Sequence, residues 1–82
     1  VSRVVPLAEL HAEAAKAAEA MCGYSLLALM ATKESVDRAF ESPLSEGLLF
    51  ERRLFHALFS CADQKEGMGA FLEKRAPGFT HR

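Results

Sequence analysis

The 82-residue sequence lacks the features that would place it in several common functional classes. It has no excess of basic residues, because Lys and Arg (10) are balanced by Asp and Glu (11), giving a formal net charge of −1. Nucleic-acid-binding domains carry a strongly basic surface, so we expect no nucleic-acid partner. No apolar run approaches the roughly 18 residues that a membrane span requires, and the first residues lack the apolar segment of a secretory signal. We therefore expect neither a membrane span nor a signal peptide.

Motifs for catalysis and metal binding are also missing from the sequence. No GxSxG, GxGxxG or P-loop pattern occurs. His11, His56 and His81 have no second ligand three or four residues away, as a metal-binding helix face would need. Cys22 and Cys61 form no CxxC motif, and we interpret them as small buried hydrophobic residues rather than a disulfide pair.

The sequence does contain enough apolar residues, 50%, to favour a packed core over disorder. Their spacing is helical, and no β-rich run follows Val5. The fold class is therefore predicted to be all-α, with about four helices and short connections. We expect helices from Leu7 to about Met21, from after Ser25 to Phe40, from Leu44 to about Ser60, and from about Gln64 to Arg75.

Polar residues predict how these helices begin and how the chain ends. Ser42 can cap the third helix, with Pro43 at its first position. Asp63 and Glu66 have the spacing of a capping box at the start of the fourth helix. Residues 79–82 are expected to form a frayed terminus.

A few residues depart from a simple core pattern. Glu51 projects into the apolar face of the third helix, where a carboxylate is either a general acid or base or a structural ion pair. We favour an ion pair, with Arg38 as a candidate partner. Gly67 and Gly69 each cost up to about 1 kcal/mol inside a helix. Either a ligand or another helix approaches that backbone closely, or the glycines are simply tolerated.

Phe71 and Lys74 are three residues apart, so a continuous helix would place them on one face. An aromatic ring and an ammonium group suit an adenine ring and a phosphate. The same spacing is common on amphipathic helices that bind no ligand, so both interpretations stand at this point.

Five segments of the sequence resemble a known family. They are ATKESVDRAFE at 31–41, LSEGL at 44–48, FERRLF at 50–55, DQKEGM at 63–68 and AFLEKR at 70–75. Together they resemble the C-terminal signature of the crotonase superfamily, most closely the short-chain enoyl-CoA hydratases of fatty-acid β-oxidation. Residues 1–6 similarly resemble the extended exit from the catalytic core. The resemblance implies that residues 1–82 are a C-terminal helical segment, cut from a longer protein and lacking the ββα spiral core.

The resemblance also implies roles for this segment. The family hydrates trans-2-enoyl-CoA using an oxyanion hole and two glutamates that lie upstream, so no residue here is expected to be catalytic. Phe55 matches a position that lines the acyl-CoA pocket, while Phe71 and Lys74 match positions that reach the CoA nucleotide. The C-terminal helices cap that site and build trimers, which pair into hexamers. Acyl-CoA is the substrate, and no cofactor or metal is expected.

Other interpretations remain open at the level of sequence. A related acyl-CoA enzyme, an isomerase or a hydrolase, would share this segment, and the upstream acidic residues would separate it from a hydratase. A self-standing all-α interaction module is the remaining alternative. For the family interpretation, we expect the mitochondrial matrix in a eukaryote and the cytoplasm in a bacterium.

Overall fold

The computed structural model describes residues 1–82 and confirms the predicted all-α fold, with four α-helices and no strand. After a 3₁₀ turn at Leu7–Glu9, the helices are α1 (Leu10–Cys22), α2 (Leu26–Ala39), α3 (Leu44–Leu58) and α4 (Ala62–Glu73). None of the four is both long and apolar enough to cross a bilayer. Residues 1–6 carry no regular secondary structure.

The first helix begins later than predicted. The Glu9 N–H donates to the Pro6 carbonyl at 2.9 Å, which closes a 3₁₀ turn and delays the α-helix to Leu10. Gly23 occupies the C-cap of α1, as its position in the sequence predicts.

The α2 and α3 helices form the most extensive helix–helix contact in the chain. In the connection between them, the Ser42 hydroxyl donates to the Arg38 carbonyl at 2.9 Å, so it satisfies the end of α2 rather than the start of α3. Pro43 therefore occupies the N-cap position and Leu44 is the first helical residue. The predicted Ser42 cap is wrong because the hydroxyl has an acceptor on the preceding helix.

The C-terminal tail, defined here as residues 75–82, folds back along α4 instead of fraying. The Gly78 N–H donates to Glu66 Oε1 at 3.0 Å, and the Asp63 N–H donates to the Arg82 carbonyl at 2.9 Å. The Phe79 ring packs on Gly67, where an added Cβ would lie 3.4 Å from the ring. The prediction of a frayed terminus is therefore wrong. Gly67 admits an aromatic ring from the tail, whereas Gly69 has no neighbouring atom within 4 Å.

The helices leave most apolar side chains uncovered. Ala70 is the single fully buried hydrophobic residue. The radius of gyration is 15.8 Å, against about 12 Å for a compact chain of this length. The accessible surface is 7007 Å², against about 4,900 Å² for a folded monomer of this mass. The chain therefore exposes apolar surface of the kind that further protein normally covers.

The cysteines are both free, and Cys22 is exposed while Cys61 is half-buried. The predicted burial of Cys22 is wrong, because α1 packs on little else in this chain.

Candidate functional site

An apolar groove of about 680 Å³ opens between α2 and α3. Phe55 lies in its wall with Val36, Leu48, Leu54 and Leu58. The Phe55 ring meets the Phe59 ring edge-to-face, with centroids 5.2 Å apart, and is 58% exposed. The groove can accept an acyl chain or an apolar side-chain cluster, and the predicted binding role of Phe55 stays a prediction.

Glu51 also lines this groove, but it is exposed and makes no ion pair or hydrogen bond. The Arg38 guanidinium, its predicted partner, instead lies 5.0 Å from the centre of the Phe50 ring. The predicted buried ion pair is therefore wrong. The groove is open to solvent beside Glu51, so the carboxylate stays in water and needs no partner.

Helix α4 ends in a Schellman motif centred on Lys74. The Lys74 N–H donates to the Phe71 carbonyl at 3.3 Å, and the Arg75 N–H donates to the Ala70 carbonyl at 3.0 Å. Lys74 itself has φ 55° and ψ 43°, in the left-handed region that glycine usually occupies at this position. A residue with a Cβ carries a cost of roughly 1–2 kcal/mol there.

This geometry corrects the argument that placed Phe71 and Lys74 on one helical face. The helix ends at Glu73, not Arg75, and the backbone turns away at Lys74. The two residues still lie at the same end of α4, where Phe71 is 82% exposed and Lys74 is exposed without an ion-pair partner. Neither residue lines the groove that contains Phe55. Their predicted contact with a nucleotide stays a prediction.

An ion pair formed by Arg75, the residue after Lys74, joins the tail to the middle of α4. Arg75 donates through Nη1 and Nη2 to the two carboxylate oxygens of Glu66, and its Nε donates to Glu73 Oε2 at 2.6 Å. The hydrogen bond from Arg75, with a second from the Gly78 N–H, lowers the pKa of Glu66 from 4.5 to about 2. The same contacts with Glu66 and Glu73 raise the pKa of Arg75.

A second carboxylate, Asp63, fastens the end of the tail to the start of α2. Asp63 is buried, and accepts hydrogen bonds from the Ser25 hydroxyl and from the Thr80 and His81 N–H groups, the last two at 2.8 Å. Burial raises the pKa of Asp63, but the hydrogen bonds from Ser25 and from the tail backbone outweigh it and lower the pKa. The His81 ring accepts the Leu26 N–H at 3.0 Å through Nδ1. Because no hydrogen bond joins that ring to Ser25, the cluster is an anchor and not a catalytic triad.

The predicted capping box of α4 is wrong because the tail binds both of its carboxylates. Cys61 occupies the N-cap, and the Asp63 and Glu66 carboxylates are engaged by the tail instead of the first turn. Ser25 does sit at the N-cap of α2, but its hydroxyl donates to Asp63. Sequence reasoning missed the anchoring role of both carboxylates. Two carboxylates on one helix face, followed by the helix-ending pair Pro77 and Gly78, form the signal that could have found it.

No three His, Cys, Asp or Glu side chains are grouped so as to hold a metal ion. The two anchoring carboxylates have their oxygens occupied by donors from the chain itself. The residues predicted to bind the ligand lie apart from these carboxylates, with Phe55 in the apolar groove and Phe71 and Lys74 at the end of α4.

Comparisons with known proteins agree on one family. The model of the enoyl-CoA hydratase/isomerase family matches residues 1–82. The chain is 60% identical over 82 residues to a probable enoyl-CoA hydratase of Mycobacterium tuberculosis, covering 100% of this chain and 32% of that protein. It is 53% identical over 77 residues to a probable mitochondrial enoyl-CoA hydratase of Dictyostelium discoideum, covering 94% and 28%.

A crystal structure from Geobacillus kaustophilus, titled as subunit I of an enoyl-CoA hydratase, superimposes on the chain with a TM-score of 0.91. It is 46% identical, and the match covers 100% of this chain and 32% of that one. The chain thus spans about a third of the length of the relatives that it matches.

Proposed function

This chain belongs to the enoyl-CoA hydratase/isomerase family of the crotonase superfamily, and we propose that it is the C-terminal segment of an enoyl-CoA hydratase. The complete enzyme would add water reversibly to trans-2-enoyl-CoA and give 3-hydroxyacyl-CoA, as a step of fatty-acid β-oxidation. The observation that carries this proposal is the 60% identity, over the whole chain, to a relative described as a probable enoyl-CoA hydratase.

Within that enzyme, we propose that this segment supplies binding and packing surfaces and leaves the chemistry to the rest of the protein. Hydration needs carboxylates free to exchange protons with water and substrate. Asp63 and Glu66 are held by donors from their own chain, and Glu51 stands alone without a second carboxylate in its groove. The apolar groove between α2 and α3 therefore holds a single carboxylate and no pair of the kind that hydration requires.

The exposed surface supports an assembled state. The excess over a compact monomer is roughly 2,100 Å², while one partner in a standard interface contributes about 800 Å². A single neighbour of ordinary size would leave apolar surface uncovered. We propose that the rest of the same subunit covers part of it and that neighbouring subunits of a trimer or hexamer cover more. The same excess argues against a self-standing interaction module.

At the end of α4, we propose that Phe71 and Lys74 bind the nucleotide of the acyl-CoA substrate. Lys74 retains a Cβ in a backbone conformation that favours glycine, so the strain is consistent with a use for its side chain. Its ammonium has no partner in this chain, and Phe71 is 82% exposed beside it. We further propose that Phe55 borders the acyl chain in the groove between α2 and α3. Acyl-CoA is then substrate and not cofactor.

We propose a cellular location for the enzyme from the descriptions of its relatives. The similar proteins include a bacterial hydratase and one described as mitochondrial. We propose the mitochondrial matrix if this chain is eukaryotic and the cytoplasm if it is bacterial.

A chimera tests the proposed function. The 82 residues would replace the matching third of the Mycobacterium tuberculosis relative, and hydration of crotonyl-CoA would be followed by loss of the enoyl-thioester absorbance. We expect activity close to that of the parent, and none from the isolated 82-residue chain. A chimera that folds and assembles like the parent without hydrating crotonyl-CoA would contradict the proposal.

A further inference from the structure

The conformation of Lys74 needs support from outside its own residue. Lys74 has φ 55°, a region that residues with a Cβ rarely adopt, so local preference alone would not keep the backbone there. Two hydrogen bonds of the Schellman motif hold the peptide groups on either side of it. In such motifs a hydrophobic contact frequently joins the residue after the left-handed position to a residue in the last turn of the helix.

Here an ion pair replaces that hydrophobic contact. The two residues concerned are Arg75 and Ala70, and Arg75 carries a guanidinium instead of an apolar side chain. Its forked contact with Glu66 spans nine residues of sequence and draws the segment after Lys74 back onto α4. Since the forked geometry fixes orientation as well as distance, it restrains the turn more than a single contact would.

Glu66 holds the tail at a second point. Its Oε1 accepts the Gly78 N–H at 3.0 Å in addition to Arg75, so one carboxylate binds both ends of the segment 75–78. The Phe79 ring then seats on Gly67, one residue further along α4. The backbone after Lys74 is therefore held on α4 at Arg75, at Gly78 and at Phe79.

We propose that Glu66 and Arg75 are positioning residues that aim the Lys74 ammonium at the CoA nucleotide, an inference that rests on the proposed function. The negative charge of Glu66 is already matched by the Arg75 guanidinium, and the Gly78 N–H donates to the same carboxylate. Arg75 is bound to two carboxylates, so its charge is already compensated. Lys74 is the cation at this helix end that has no partner in the chain.

The test compares Glu66→Gln in the complete enzyme in two backgrounds, wild type and Lys74→Gly, by steady-state kinetics with crotonyl-CoA. In the wild-type background we expect a severalfold rise in KM with kcat nearly unchanged. In the Lys74→Gly background, where the ammonium is absent, we expect no further rise. Glu73→Gln is the matched control, since Glu73 meets the same guanidinium but holds no other part of the tail, and its KM should stay close to wild type.

A rise in KM of equal size in both backgrounds would overturn the inference, because Glu66 would then act independently of Lys74. If Glu66→Gln raises KM in neither background while Lys74→Gly itself raises KM, the inference would be overturned and the proposed function would stay intact. An unchanged KM for Lys74→Gly would remove the nucleotide role of Lys74, and this inference with it. If Glu66→Gln fails to fold, Arg75→Lys keeps the charge, loses the forked contact, and should give the same pattern.

Discussion

Lys74→Gly should make the enzyme more stable and bind its substrate less well. Glycine adopts the left-handed conformation of the α4 C-cap without the penalty that a Cβ brings. Relief of that penalty should raise the free energy of unfolding by about 1 kcal/mol. The same change removes the ammonium proposed to meet the CoA nucleotide. Most substitutions destabilise a protein, so a variant that gains stability while losing affinity identifies a residue held under strain for binding.

The expected loss of affinity follows from the exposure of Lys74. A well-formed hydrogen bond to a charged group contributes about 1.5–3 kcal/mol, and an exposed, screened one contributes less. Taking about 1.4 kcal/mol gives a roughly tenfold rise in KM. The nucleotide is far from the reacting carbons, so kcat should change little, as for uniform binding. Added salt should raise the wild-type KM towards that of the variant.

The assay combines thermal unfolding with steady-state kinetics on crotonyl-CoA at low salt. Lys74→Ala is the comparator, since it removes the ammonium but keeps a Cβ, and should raise KM without a gain in stability. Lys74→Arg keeps the charge and should leave KM close to wild type. An unchanged KM for Lys74→Gly at low salt, or a loss of stability, would refute the reasoning.

Three further predictions concern the tail and the open surface. The pKa of Glu66 is lowered from 4.5 to about 2 on folding, so its contribution to stability is complete above pH 4.5 and is lost towards pH 2. The protection of the Gly78 amide against hydrogen exchange should fall over that range. Constant protection would contradict this. Gly67→Leu should displace Phe79 and lower the melting temperature. Gly69→Ala, where an added Cβ meets nothing within 4 Å, should instead raise the free energy of unfolding by up to about 1 kcal/mol. The isolated chain should self-associate and bind a hydrophobic dye, and light scattering from a clean 9.0 kDa particle would argue otherwise.

The helices could be predicted from the sequence because their signal is local. Apolar spacing locates each helix to within a few residues, and Pro43 and Gly23 mark boundaries that the structure retains. The caps could not be predicted in the same way. Ser42 and Asp63 are good capping residues by type, but the hydrogen bonds of both go to other partners.

The missed part of the site depends on contacts between distant residues. Ser25 and Asp63 are 38 residues apart, and Leu26 meets His81 across 55. No spacing rule within one helix can anticipate such pairs. Lys74 could not be predicted for a different reason. A left-handed C-cap is usually marked by a glycine in the sequence, and a lysine at that position predicts that the helix continues. The prediction that Phe71 and Lys74 share one helical face is wrong, because α4 ends at Glu73. Their predicted contact with a nucleotide stays a prediction.

The role proposed for this segment, binding the nucleotide without taking part in the chemistry, is tested most directly by changing the substrate. Crotonyl-pantetheine carries the same thioester as crotonyl-CoA but lacks the nucleotide. With the complete enzyme, Lys74→Gly should raise KM for crotonyl-CoA roughly tenfold and leave the kinetics with crotonyl-pantetheine unchanged. Equal losses with both substrates would mean that Lys74 acts on the reacting end or on the fold, and would contradict the account.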